Sequence, residues 1–431
     1  MSRSLLEALP ELVEAGILPP EAAERIRDYY AQKPSPAPQR QMILFGILGA
    51  LLVGLGVILV VAHNWDSLPK AAQAFFAFLP LAIAHALAFY AQLRQGGSMA
   101  WRESTALLVF FATGACIALI AQVYQIPGDL GPYLLTWTLL SLPLLYATRS
   151  ASVSLLCIVG AAWYGCETGY FNRYDGHEPL YALGLLAAQL PFYAWLTRQA
   201  PRSNFTAFHH CLLPLALIVL LGTLAQDAIV WLWPAYMSLM GFLYLAGSQP
   251  DFRPAPAANG YRLLGSLGTV ILLLILSYDE PWGGVAEAFA EQGNPSGREF
   301  WAALLLTVGA IALFIRQGNF EQQLREPDAF TWVFLPFLPL LKLEPFFAAV
   351  ICNLLLLAAA LSTIAEGSRR DNLARLNYGL LILMALVVAR FFDQDISFIV
   401  RGLLFAAAGV GFFIANYRLL RKRKAASSEN S

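Results

Sequence analysis

Charged side chains are scarce in this sequence. Asp, Glu, Lys and Arg make up 13% of its 431 residues, against about 25% in a soluble domain. With 58% of residues hydrophobic and a mean hydropathy of +0.58, too little polar surface exists to cover a water-soluble globule. Net charge is missing too, since 28 basic residues balance 28 acidic ones. No overall field draws a polyanion, so no nucleic-acid partner is expected. Only five cysteines occur, Cys116, Cys157, Cys166, Cys211 and Cys352. None has metal or redox spacing, and all but Cys166 sit inside apolar runs, where they read as small packing residues. His209 and His210 are adjacent and so point to different faces of a helix. Neither a metal site nor a cofactor is expected. The nucleophile elbow, the zinc-protease motif, the phosphate loop and the dinucleotide turn are all absent, and no residue is assigned a catalytic role. No secretory signal is visible: the first 40 residues are polar, and the apolar run after them is long enough to span a bilayer.

What is present is one apolar run after another. They predict helices near 42–62, 72–92, 105–122, 130–147, 151–166, 179–197, 207–224, 228–247, 261–277, 299–315, 330–341, 345–364, 373–390 and 396–417. Most approach the ~20 residues that a bilayer requires. The fold class is therefore all-α: a polytopic helical membrane protein of about 14 (12–14) transmembrane helices, with the lipid bilayer as its solvent. Three parts are expected: residues 1–40, 41–417 and 418–431. The first is a small cytoplasmic helical hairpin, with leucines and Val13 at helical spacing, Gly16 as a C-terminal cap and Pro20-Glu21 as a second start. A linker with three prolines, Lys33–Gln39, follows it. The last part is a basic tail. No convincing internal repeat is found.

The basic residues test this arrangement. With the N-terminus inside, 22 of the 28 Lys and Arg fall on inner segments and six fall outside: Lys70, Arg173, Arg298, Lys342, Arg390 and Arg401. Such a bias places both termini in the cytoplasm. Segment 330–341 is short and holds Pro336 and Pro339, yet without its crossing Arg369, Arg370 and Arg375 would move outside. It is expected to cross as a broken or tilted helix. In the outer loop 278–298, Trp282 is expected to anchor at the membrane interface, and 285–291 to form a short surface helix.

Polar residues gather at the outer turns. His63, Asn64 and Asp66 follow the first apolar run. Gln122, Gln125 and Asp129 surround the break at Pro127-Gly128. Glu167, Asp227 and Glu344 mark later turns, and Arg390, Asp393, Asp395 and Arg401 flank the last. Ionisable groups near hydrocarbon are costly and usually pair or line a wet cavity. A polar cavity facing outward is thus expected from Asn64, Asp66, Gln122, Gln125, Asp129, Arg390, Asp393, Asp395 and Arg401. The competing reading is that each caps its own hairpin in the headgroup zone. Arg401 lies about one turn into the last run, where Asp393 or Asp395 can hold it as a buried cation.

Three stretches carry a family resemblance. They are Leu9-Pro-Glu-Leu-Val-Glu-Ala-Gly-Ile-Leu18 with Glu21-Ala-Ala-Glu-Arg-Ile26, then Asn64-Trp65, then Ala121-Gln-Val-Tyr-Gln125 with Gly128-Asp129, Trp137 and Pro143. Over roughly its first 150 residues the chain resembles a bacterial family of predicted membrane proteins, domain of unknown function 2157. The closing Ala389-Arg-Phe-Phe-Asp393 through Arg401-Gly402 looks like the final hairpin of related proteins. The resemblance implies a bacterial inner-membrane protein and brings no activity with it. Three functions stay open. One is a transporter or flippase of a small polar or lipid-linked solute. Another is a scaffold or sensor that docks a cytoplasmic protein partner through the N-terminal hairpin. The third is an intramembrane enzyme acting on a lipid-linked substrate.

Overall fold

The computed structural model describes most of residues 18–31, 65–94, 98–171, 178–225, 229–249, 259–292, 297–317 and 328–391, with isolated positions between 9 and 16 and between 399 and 413. Every regular element among them is helical, and no strand occurs among the described residues. They divide into two units, Met1–Phe75 and Phe76–Ser431.

In the first unit, helix α1 is Pro20–Ala31. Pro20 suits a first position, where its missing N–H costs nothing. Gly16 before it has φ +70, the left-handed conformation of a helix end. The expected helix 42–62 lies outside the described residues.

Helix α2 is Lys70–Arg94, and the unit boundary falls in its first turns. Its pattern reverses that of a soluble helix. Ala77, Ala84, Ala88 and Ala91 are buried, while Phe78 and Phe89 are exposed. Small residues let helices approach within lipid, and the large apolar side chains face outward. Next come α3 (Met99–Val123), α4 (Leu130–Thr148) and α5 (Ala151–Cys166). Ser98 and Ser150 cap α3 and α5 by accepting from the N–H of Trp101 and Val153. A π turn, Glu167–Phe171, extends α5.

The expected helix 179–197 is two pieces, α6 (Leu180–Ala187) and α7 (Leu190–Gln199). Pro191 in the first turn of α7 lacks the N–H that a continuous ladder needs. Then follow α8 (Asn204–Thr223), α9 (Leu232–Gly247), α10 (Gly260–Ile275), α11 (Glu280–Gln292) and α12 (Arg298–Arg316). After the short α13 (Phe337–Leu340) come α14 (Pro345–Arg369) and α15 (Leu373–Phe391).

Nine helical stretches among the described residues are long and apolar enough to cross a membrane, or up to ten if the bent pair α10–α11 counts as one. The chain is thus an all-helical membrane protein with several spanning helices. The count of about 14 is not reached among the described residues, which leave out 42–62 and most of 396–417.

Segment 329–341 is not one helix. A 3-10 turn at Ala329–Thr331, hydrogen-bonded turns over 332–336 and the four-residue α13 follow one another. It runs alongside α10 nonetheless. Asp328, just before it, reaches Arg262 in the first turn of α10, whereas Phe337 packs on Trp282 beyond that helix's far end. Midway, Phe334 fills the space that Gly241 leaves open, where a Cβ would lie 2.6 Å from its ring. Trp282 departs from expectation. It is buried rather than interfacial, because its indole N–H donates to Leu276 O at 2.8 Å and so loses nothing by leaving water.

Candidate functional site

Four helix ends meet beside Asp328. Tyr244 lies in the last turn of α9 and Arg262 in the first of α10. Glu366 is in the last turn of α14 and Arg375 in the first of α15. The two arginines arrive by the same local device. Asn259-Gly-Tyr-Arg262-Leu263 and Asn372-Leu-Ala-Arg375-Leu376 are both Asn-x-x-Arg-Leu. In each, the Asn side-chain oxygen accepts from the arginine's own backbone N–H, at 3.2 Å for Arg262 and 3.1 Å for Arg375. The asparagine caps the helix start, and the arginine follows within the first turn.

Close packing holds these ends together. A Cβ on Gly265 would sit 2.6 Å from Tyr244 N, and one on Gly379 would sit 2.8 Å from Ile364 N. Only glycine lets α10 meet α9, and α15 meet α14, at that distance.

The side chains form one network. Asp328 Oδ2 accepts from the Tyr244 hydroxyl at 2.5 Å, from Arg375 Nη2 at 3.3 Å and from Arg262 Nη2 at 3.4 Å. Arg262 Nη2 also donates to the Tyr244 oxygen at 2.8 Å, and its guanidinium lies 5.0 Å from the centre of that ring. Glu366 pairs with Arg375 Nη1 and, at 3.2 Å, with Arg370. Beside the network lies a cleft of about 400 Å³. Its wall includes Tyr244, Asn259, Arg262, Phe330, Arg375 and Tyr378. Cys211 also lines it and is exposed, unlike the buried packing residue expected there, whereas Cys116, Cys157 and Cys352 are buried.

A second polar cluster is closed. Glu103 of α3 is buried and accepts from the Ser150 hydroxyl at 2.5 Å and from the N–H of Ala151 and Ser152 at 3.2 and 3.0 Å. One turn on, His209 bonds through Nδ1 to Phe205 O at 2.7 Å, so Nε2 accepts from the Ser154 hydroxyl at 2.9 Å. Both side chains are fully buried, which makes the pair a helix tie rather than a reactive dyad. A third contact, Glu178 with Arg298, is bidentate at 2.6 and 2.9 Å.

The nine residues proposed from sequence fall as follows. Gln122, Gln125 and Asp129 are exposed at the α3–α4 turn, Gln125 with φ 52 and Asp129 at the α4 start with no side-chain cap bond. Arg390 ends α15, at the far end of that helix from Arg375. It donates to Ser277 Oγ at 2.8 Å and lies over the Tyr278 ring at 4.2 Å. Asn64, Asp393, Asp395 and Arg401 lie outside the described residues, as does the side chain of Asp66. The network at Asp328 was missed, although the recurring Asn-x-x-Arg-Leu was visible in the sequence. No group of three potential metal ligands occurs among the described residues.

Fold and site together define a polytopic helical membrane protein with an ion-paired cleft at one end of its bundle. Residues 10–154 match the family described as predicted membrane protein (DUF2157), the one that the sequence resembles. Neither a curated protein nor a solved structure matches the chain. The cleft residues, from Cys211 to Tyr378, all lie beyond the matched stretch.

Proposed function

We propose that this protein resides in a bacterial inner membrane, with both termini cytoplasmic, and carries a small polar or lipid-linked solute. The observation that supports this reading is the cleft. Arginines and tyrosines of α9, α10 and α15 face an open volume of about 400 Å³, within the range of small-molecule sites. An ion cluster kept only for stability would close over itself, because charges at membrane depth are costly unless they are covered or paired. The bias of Lys and Arg supports a cytoplasmic position for this end of the bundle. The broken segment 329–341 beside the cleft also fits a carrier, since interrupted helix is tolerated in membranes where it lines a cavity or is covered by protein.

The test uses Cys211. Proteoliposomes holding the full chain are loaded with a bacterial small-molecule extract, and the species that leave faster than from protein-free vesicles are identified by mass spectrometry. One or a few polar species should leave, and alkylation of Cys211 should stop them. If folded protein releases nothing beyond the protein-free rate, the carrier reading is wrong.

A further inference from the structure

The charges at the cleft determine the sign of what it can hold. Among the described residues, Arg262 and Arg375 line its wall and no carboxylate does. Asp328 and Glu366 bond the same arginines from outside that wall. Arg370, on Glu366, is the third guanidinium of the cluster. Arg262 uses only Nη2 in these contacts and is about a third exposed, at 36%. Arg262 and Arg375 each stand in the first turn of a helix, where the positive end of the macrodipole opposes a cation and favours an anion. Leu263, Phe330 and Tyr378 give the same space an apolar side.

We infer that the cleft binds an oxyanion, the phosphate or carboxylate of an organic molecule or headgroup, between Arg262 and Arg375. Its apolar portion lies against Leu263, Phe330 and Tyr378. Asp328 is the internal competitor: its carboxylate holds both guanidiniums and yields them to the ligand. The forked donors of arginine suit a planar or tetrahedral oxyanion, and two capped helix starts of one sequence pattern deliver two such forks to one place. This inference uses the cleft of the carrier reading and specifies its ligand.

The experiment uses the full chain in phosphatidylcholine nanodiscs, with phenyl phosphate as the probe and ionic strength held constant. Phenyl phosphate should raise the melting temperature saturably. Arg262→Gln and Arg375→Gln should each weaken binding about ten- to a hundredfold, the loss expected for a charge-assisted hydrogen bond. Asp328→Asn should have the opposite sign and tighten binding, because it removes the competitor. Should the arginine variants fail to fold, wild type and Asp328→Asn still carry the test. A second set of discs containing phosphatidylglycerol separates the sources. If that lipid excludes phenyl phosphate, the ligand is a lipid headgroup; if the probe binds equally well, it is a soluble ester. No saturable response to either, in wild type and in Asp328→Asn, overturns the inference. Saturable binding without solute release from proteoliposomes would end the carrier reading and leave this site standing. Release that Cys211 alkylation blocks, from a cleft indifferent to phenyl phosphate, would do the reverse.

Discussion

Glu103 and Ser150 are 47 positions apart, yet the carboxylate of one accepts the hydroxyl hydrogen of the other at 2.5 Å. Glu103 thereby serves the start of α5 from another helix. Together with the Ser150 hydroxyl, which accepts from Val153 N–H, it satisfies the N–H groups of Ala151 and Ser152. A carboxylate at a helix N-terminus also meets the favourable end of the dipole. Glu103→Ala leaves these donors buried and unmet, so it should cost about 1–3 kcal/mol. Glu103→Gln keeps one acceptor and should cost less. Thermal unfolding in detergent measures both. A Glu103→Ala protein as stable as wild type would mean that water or lipid headgroups replace the cap.

Acidification should act through Glu178. Hydrogen bonds from Arg298 hold its carboxyl below the ordinary 4.5. The folded value is the lower one, so the pair's contribution is present above the unfolded value. It fades as pH drops through the folded one. Both side chains are about a third exposed, at 31% and 36%, so solvent screening keeps the effect below about 1 kcal/mol. Melting temperature should fall as pH is lowered beneath 4.5. In Arg298→Gln this part of the acid limb should flatten. An unchanged acid limb in that variant would show that other groups set it.

Gly265→Ala should be strongly destabilising. Its new methyl would meet Tyr244 N at 2.6 Å and Met240 O at 2.8 Å, both backbone atoms that cannot swing aside. Overpacking of this kind costs about 1–3 kcal/mol. Gly284→Ala in α11 is the control. Nothing lies within 4 Å of its added methyl, and alanine favours the helix, so stability should hold or rise. Equal melting temperatures for the two variants would show that α9 and α10 part easily.

Much of the fold could be read from hydropathy because lipid makes length a hard constraint. The runs expected at 130–147 and 151–166 match α4 and α5 within a residue. The break after Ala187 was hidden because Gln189 is the one polar residue in an otherwise apolar stretch. Pro191 was its one local mark. The weakness of 330–341 was legible in Pro336 and Pro339. The cleft was not. Arg262 and Arg375 each read as one of the inner-side cations, and nothing in the sequence set Asp328 apart. Only helix packing brings the three together, and hydropathy carries no information about which helices pack. Trp282 misled for a related reason, since an indole suits an interface and a core equally once its N–H has an acceptor.

Arg390 should prove a tether. It joins the end of α15 to Ser277 and Tyr278, just past α10, and Asn353 of α14 donates to Ser277 O at 2.8 Å in the same place. Arg390→Ala should cost about 1–3 kcal/mol through the lost charged hydrogen bond and ring contact. With Ser277→Ala in a double-mutant cycle, the combined loss should be smaller than the sum. Strict additivity would show that Arg390 is held elsewhere.

The broken segment beside α10 also bears on how the chain is assembled. A regular helix can enter lipid alone because it satisfies its own backbone. Residues 329–341 are less self-sufficient, since a 3-10 turn, hydrogen-bonded turns and a single helical turn satisfy fewer peptide groups than a continuous helix does. Cover for them exists only after α9, α10, α14 and α15 have come together. This stretch should therefore settle only once those four helices are packed. A fault in any of those four helices would surface first as a chain inserted in the membrane, unfinished at Phe330 to Phe337, and open to quality-control proteases.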